Sequence, residues 1–371
     1  MRRKISLFLA LLFCLSTSAC AEPLDTVLSR IRLPPGFTIS VYSDRTPEAR
    51  SMTLGENGTV YVGSLGEGKV YALRDEDGDG RAERSIVVAS GLNMPNGVAY
   101  FQGDLYIAEI SRIVKLKDIG RRLSDPPPPV LVADAYPNAR PHGWKYLRVG
   151  PDGLLYAPVG APCNICLSED PIFASLTRIG PDGKGLQIYA HGIRNTVGFD
   201  WHPETGELYF TDNGRDLLGD DVPPEELNKI SQPGQDFGYP YCHGGDIPDP
   251  EFGKQKSCDR FTPPVLKFPA HVAPLGIHFY RGKQFPPPFR GQLFVAQHGS
   301  WNRSKPQGYR VSMVRFRQGQ PVSEEIFAEG WLGTDGKADG RPVDVLELAD
   351  GSLLVSDDLR GAVYRIRYQS P

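Results

Sequence analysis

The chain has 371 residues, with 41 Lys and Arg against 44 Asp and Glu and a formal net charge of -3. That balance excludes the basic field needed to hold nucleic acid or an anionic membrane surface, and points to a small or neutral partner. The 41 glycines and 34 prolines are dispersed rather than gathered in a low-complexity tract, as many short strands joined by turns require.

The basic start Met1-Arg2-Arg3-Lys4, the apolar run 5–15 and the small-residue run 16–21 read as a signal peptide over 1–21, cleaved after Ala21. Its apolar part is too short to span a bilayer, so no transmembrane span is expected and the mature chain is periplasmic or secreted. Ser18-Ala19-Cys20 also resembles the end of a lipoprotein signal, which leaves a lipid anchor at Cys20 as the alternative.

Residues 22–371 read as one domain. After a short linker, residues 37–42 alternate as a half-buried strand does, and this strand is expected to pair with residues 362–368 at the other end of the chain. Between them a phrase recurs six times, in which a Gly-containing turn leads into a short apolar strand. The strand cores lie at 59–62, 104–107, 154–157, 207–210, 292–295 and 352–355, most followed by a second apolar strand. Self-similarity at a period of ~40 to 50 residues marks a radial array in which each unit buries its apolar face against its neighbours. The expected fold is all-β, a six-bladed β-propeller of four-stranded antiparallel blades around a central channel.

Within the first unit, Asp75, Asp77 and Asp79 alternate ahead of Gly80, as in a loop that wraps a hard cation with oxygen ligands. The EF-hand pattern fails at Ile86, although Glu83 offers a further carboxylate. A structural calcium is expected there, the alternative being a solvated acidic hairpin tip.

His142 lies on the loop entering the third unit, where a neutral imidazole would face the channel as a general base. The alternative is a histidine that only packs a blade. Cys163 and Cys166, and Cys242 and Cys258, are the four cysteines left after cleavage; in an oxidising compartment they read as two disulfides paired by proximity. Redox or zinc chemistry at Cys163-Asn164-Ile165-Cys166 lacks a βαβ context or a second matching pair.

Arg194 and Asn195 lead into the fourth unit and offer a guanidinium fork and an amide to a planar anionic ligand. An insertion over 215–274 and another over 300–307 are expected to decorate the binding face. A helical turn is expected at 223–228, where proline precedes acidic residues.

Taken in order, Pro141-His142-Gly143, the run 150–156, Gly192-Ile193-Arg194-Asn195, Asp212-Asn213-Gly214 with Glu226-Leu227-Asn228, and 340–344 resemble the pyrroloquinoline quinone (PQQ)-dependent soluble sugar dehydrogenases. The resemblance covers nearly all of the mature chain and implies a six-bladed propeller. It also implies a mechanism: the histidine matching His142 takes the proton from a sugar hydroxyl while hydride passes to a quinone carbon whose carbonyl is polarised by calcium. Arg194 and Asn195 match residues that contact the quinone, Arg341 one that meets its carboxylates, and Gly214 and Arg215 those whose backbone carbonyls hold the calcium. No lysine stands where glucose-oxidising members place one against the quinone; His298, Arg303 or Lys305 are the substitutes on offer, and Asn96 stands where those members have glutamine. His298-Gly299-Ser300-Trp301 is closer to the sorbosone and pyranose dehydrogenase branch, with Trp301 placed to stack on a sugar or on the quinone.

The expected function is therefore PQQ- and calcium-dependent oxidation of a sugar, an aldose, sorbosone or related pyranose. Leu167 follows Cys166, so there is no haem-attachment motif and electrons must leave to a separate acceptor. Two other readings stand beside it: a calcium-dependent lactonase-type hydrolase using Asp212, Asn213 and Asp357, and a non-catalytic ligand-binding propeller.

Overall fold

In the computed structural model residues 23–369 are described; the signal peptide read at 1–21 lies outside the described residues. Six four-stranded antiparallel sheets form the expected propeller. Blade one comprises Met52–Leu54, Val60–Val62, Val70–Arg74 and Arg84–Ala89, and blade two Gly97–Phe101, Asp104–Ala108, Ile113–Leu116 and Val130–Ala133. Blade three uses Arg148–Val149, Leu155–Val159, Ser175–Ile179 and Gln187–His191; blade four uses Phe199–Trp201, Leu208–Asp212, Glu225–Ile230 and Leu266–Phe268. Blade five is Pro274–Phe279, Leu293–Gln297, Arg310–Arg317 and Gln320–Glu329. Blade six takes Pro342–Glu347, Leu353–Asp357 and Ala362–Tyr368, and borrows Phe37–Ser43 as its outermost strand.

The recurring apolar cores are the second strands, and burial explains their composition. Leu155–Val159, Leu208–Asp212, Leu293–Gln297 and Leu353–Asp357 are buried along their whole length because each is covered by a neighbouring blade on both faces. One apolar cluster fills each gap between blades, for example Tyr61, Val70, Leu105 and Ile107 between the first two. Each such side chain contributes about 1.5–3 kcal/mol of burial. Near the axis the inner strands approach so closely that a Cβ at Gly198 would collide with Leu275 and Gly276 of the next blade.

The ring closes as the sequence predicts. Phe37 faces Tyr368 and Val41 faces Tyr364 in an antiparallel ladder, and Phe37 packs edge-on against Phe285, Phe327 and Tyr368. On the channel side the same seam is tied by Arg50 of blade one to Asp358 of blade six at 2.9 Å. The sequence reading overlooked a helix over Leu24–Arg30, which buries Val27 between blades five and six and pairs Arg30 with Asp339.

One expectation is corrected. The segment 223–228 is not helical; Glu225–Ile230 is the third strand of blade four, laddered to Leu208–Asp212 and Leu266–Phe268. Pairing on both edges, with Leu227 wholly buried, outweighs a local helix-start signal. Both expected disulfides are present, Cys163–Cys166 and Cys242–Cys258.

Candidate functional site

Antiparallel blades force one end of the ring to be chemically rich. The chain enters each inner strand, leaves each second strand and begins each third strand at the same face, so residues from those junctions converge there. A cavity of about 420 Å³ opens on this face, within the range of small-molecule sites. His142, Arg194, Asn195, Gly214, His298, Trp301 and Arg341, seven of the residues singled out from sequence, line it together.

His142 is held in an unusual backbone conformation, φ 49°. Its Nδ1 lies 2.8 Å from the Ala161 carbonyl oxygen; a carbonyl only accepts, so Nδ1 carries the proton and Nε2 presents its lone pair. Burial, reinforced by Arg194, pushes the imidazole pKa down to about 4, which keeps it neutral at physiological pH. A Cβ at Gly160 would sit 2.5 Å from the His142 Cβ, so only glycine lets the chain leaving the second strand pack beneath the histidine. From the other side, the buried Lys145 donates Nζ–H to the Gly143 carbonyl at 3.0 Å and lies over the Tyr136 ring.

The two predicted arginines differ. Arg194 is mostly committed to the protein: Nε to the Asn164 carbonyl, one terminal nitrogen to the Asn213 carbonyl, the other to Asn164 Oδ1 and Asp216. Arg341 keeps one terminal nitrogen, Nη1, without a hydrogen bond among the described residues. It donates to the His298 and Gly299 carbonyls and stacks beside Tyr309, with no carboxylate partner within 4 Å among the described residues. A half-buried guanidinium that faces the cavity and has no ion-pair partner of its own suits an anionic ligand. The Asn195 side-chain amide likewise makes no hydrogen bond among the described residues.

His298 Nε2 meets both oxygens of Asp358 at 2.9 and 3.0 Å. Burial opposes ionisation of Asp358, but His298 and Arg50 hold its carboxyl well below the usual carboxylate range. Trp301 is 70% exposed at the rim. Its loop is fastened by Asn302 to Asp216 and by Arg303 and Ser304 to Asp220. Arg303 is thereby turned to Asp221, and neither it nor Lys305 lines the cavity.

Gly214 lines the cavity, whereas the Arg215 side chain points into an ion pair with Asp249 at 2.5 Å and Glu251 at 3.1 Å. Neither the Gly214 nor the Arg215 carbonyl accepts a hydrogen bond among the described residues, so both remain open to a cation. Asp75, Asp77, Asp79 and Glu83 do come together, with ligand atoms within 4.8 Å of one another, on the hairpin at the opposite end of blade one. The acidic residues considered for a hydrolase are spent on the protein. Both Asp212 oxygens accept the backbone N–H groups of Arg194 and Asn195, and Asp357 accepts from Arg341, Arg360 and Tyr364.

Sequence reasoning missed Arg50, Asp358 and Glu225, which line the same cavity. Arg50 had a signal: it stands two residues before the inner strand of blade one, much as Arg341 directly precedes that of blade six. Glu225 was hidden by the helical reading of its segment.

The sequence pattern of the TrAA12-like family matches residues 182–369, half of the chain. The chain belongs to the TrAA12-like family. A protein of Borreliella burgdorferi described as uncharacterized is 32% identical over 359 residues, covering 93% of each. Within a TrAA12-like frame, the PQQ-dependent pyranose dehydrogenase of Coprinopsis cinerea is 27% identical over 236 residues, which is 50% of this chain and 32% of that enzyme. The holo PQQ domain of the Coprinopsis cinerea pyranose dehydrogenase has the same fold, with TM-score 0.77 at 20% identity over 91% of this chain and 97% of that one. The relatives with a stated activity are thus PQQ-dependent sugar dehydrogenases. No helix among the described residues is long and apolar enough to cross a membrane.

Proposed function

We propose that this TrAA12-like chain is an exported sugar dehydrogenase that uses PQQ with calcium, closest in kind to enzymes acting on pyranoses and sorbosone. The observation that carries the reading is the pairing of a neutral base, His142, with an unneutralised cation, Arg341, in one cavity. When bound, PQQ supplies the hydride acceptor and calcium polarises its carbonyl.

The residues present fit such a group. Arg341 and Arg50 offer guanidinium N–H donors to its carboxylates, Asn195 offers its amide, and the Gly214 and Arg215 carbonyls offer hard oxygen to the ion. His142 Nε2 removes the hydroxyl proton of a sugar carbon about to be oxidised, and Nδ1, anchored on Ala161, keeps the ring oriented and the tautomer fixed. Trp301 gives the apolar face of a sugar ring a flat partner at the rim. His298, held by Asp358, takes the place of the missing lysine. A separate acceptor then removes the electrons, cleavage after Ala21 releases the mature domain, and the Asp75, Asp77 and Asp79 loop takes a structural calcium.

The lactonase-type reading is less well supported because Asp212 and Asp357 are committed to backbone N–H groups rather than to the cavity. The test is titration of metal-stripped protein with PQQ, with and without calcium, followed by aldoses and sorbosone while the cofactor absorbance is read. Calcium-dependent binding and reduction by a sugar supports the dehydrogenase; no binding in either condition removes it.

A further inference from the structure

Glu225 is a buried carboxylate that the catalytic reading leaves without a task. It opens the third strand of blade four and is only 3% exposed, yet it lines the cavity. Oε2 accepts the Gly214 N–H at 2.6 Å, while Oε1 has no hydrogen-bond partner among the described residues. A carboxylate in so enclosed a setting is favoured as the charged form only where a cation compensates it.

The nearby cations do not compensate it. Arg194 gives its charge to Asp216 at 2.9 Å, and Arg215 gives its own to Asp249 and Glu251. Nor do the neighbouring peptides: Pro223 and Pro224, directly before Glu225, have no N–H to donate. Asp212 cannot share a proton with it through a direct bond, since both Asp212 oxygens are held by Arg194 and Asn195. Meanwhile the bond from Gly214 fixes Glu225 against a peptide segment whose two carbonyls, Gly214 and Arg215, accept no hydrogen bond among the described residues. A carboxylate oxygen open to the cavity beside two free carbonyls sets three hard oxygens near one segment.

We infer that the Glu225 carboxylate is a side-chain ligand for a calcium ion bound at the Gly214–Arg215 segment. This deepens the reading above and rests on it for the ion's catalytic place. The chemistry favours calcium: one anionic and two neutral oxygens make a partial shell for an ion that takes six to eight oxygen ligands, the rest coming from water and bound cofactor. Sites for softer metals draw on imidazole or thiolate, which this donor set lacks. A charged ligand raises affinity relative to carbonyls alone, so the protein would hold the ion before any cofactor arrives.

The test is calcium titration calorimetry on metal-stripped protein without quinone, joined to terbium luminescence sensitised by Trp144, which lines the same cavity. Both are run in an Asp75→Asn background, so that the acidic hairpin of blade one does not contribute. Glu225→Gln keeps an acceptor for the Gly214 N–H while removing the charge, and should weaken calcium at least tenfold with an unchanged melting temperature in the absence of calcium. Unchanged affinity in Glu225→Gln overturns the inference, as does a parent protein that takes up no calcium with or without PQQ. Should calcium bind through Glu225 while PQQ does not bind, the ligand assignment stands and the dehydrogenase reading falls.

Discussion

The Nδ1 of His142 and the carbonyl oxygen of Ala161 are 2.8 Å apart, and that single bond decides which nitrogen faces the cavity. It comes from Ala161, two residues beyond the end of the second strand of the same blade, so the base is oriented by backbone close to the sheet. With its pKa near 4, His142 is ready to accept a proton over most of the accessible pH range. The kcat/KM profile should therefore fall only below about pH 4, and His142→Ala should lose about 10²- to 10⁴-fold in kcat while still binding PQQ. A profile breaking near pH 6.5, or full turnover in the variant, would remove His142 from the base role.

Arg341 should matter to affinity rather than to turnover. Its guanidinium is held by two carbonyls and faces no carboxylate, so a carboxylate-bearing cofactor gains a charge-assisted bond there. Arg341→Ala is expected to weaken PQQ by about 10- to 100-fold in an absorbance titration, with the fold intact by circular dichroism.

Lys145 makes a stability prediction with a definite sign. Burial lowers its pKa from 10.5 to about 7, so between those values the unfolded chain holds a proton that the folded chain does not. Stability therefore rises with pH in that window, by up to about 1.4 kcal/mol per pH unit from this group. Lys145→Met abolishes the rise. Melting temperatures of the two proteins at pH 7 and pH 9.5 check it: the wild type should gain on the variant at the higher pH.

The Cys163–Cys166 disulfide brackets Asn164, which gives both its carbonyl and its side-chain oxygen to Arg194. Cys163→Ser with Cys166→Ser should loosen that grip, lowering PQQ affinity several-fold with little change in melting temperature. A large loss of stability instead would assign the bridge to the fold.

Trp301 contributes little to folding because its indole lies mostly in solvent. Trp301→Ala should leave the melting temperature unchanged and raise KM for the sugar by about three- to tenfold, the worth of one aromatic contact. An unchanged KM across a sugar panel would reduce it to a rim residue.

The fold was readable because the second strands repeat an apolar phrase that only two-sided burial explains, and each of the six phrases found its blade. The candidate site was readable where a residue stood shortly ahead of an inner strand, as His142 and Arg194 do, or matched a family motif, as Arg341 does. Glu225 was not, since its neighbours carry a helix-start composition and only pairing with Leu208–Asp212 and Leu266–Phe268 makes the segment a strand. Asn164 was equally silent: the sequence shows an amide between two cysteines, and its bonds to Arg194 arise from how blades three and four meet. Arg50 was skipped because no neighbouring residue marks it, although its offset from Met52 was there to be used.

The bond between Arg50 and Asp358 crosses the seam where the ring closes, and both residues line the cavity. The wall between them does not exist until Phe37–Ser43 has found Ala362–Tyr368, the pairing with the longest sequence separation in the molecule. Such distant contacts form late. On the proposed reading, cofactor capture would be a report of completed folding: a chain arrested as an open ring would have its blades but not its pocket, and loading the pocket would hold the clasp shut.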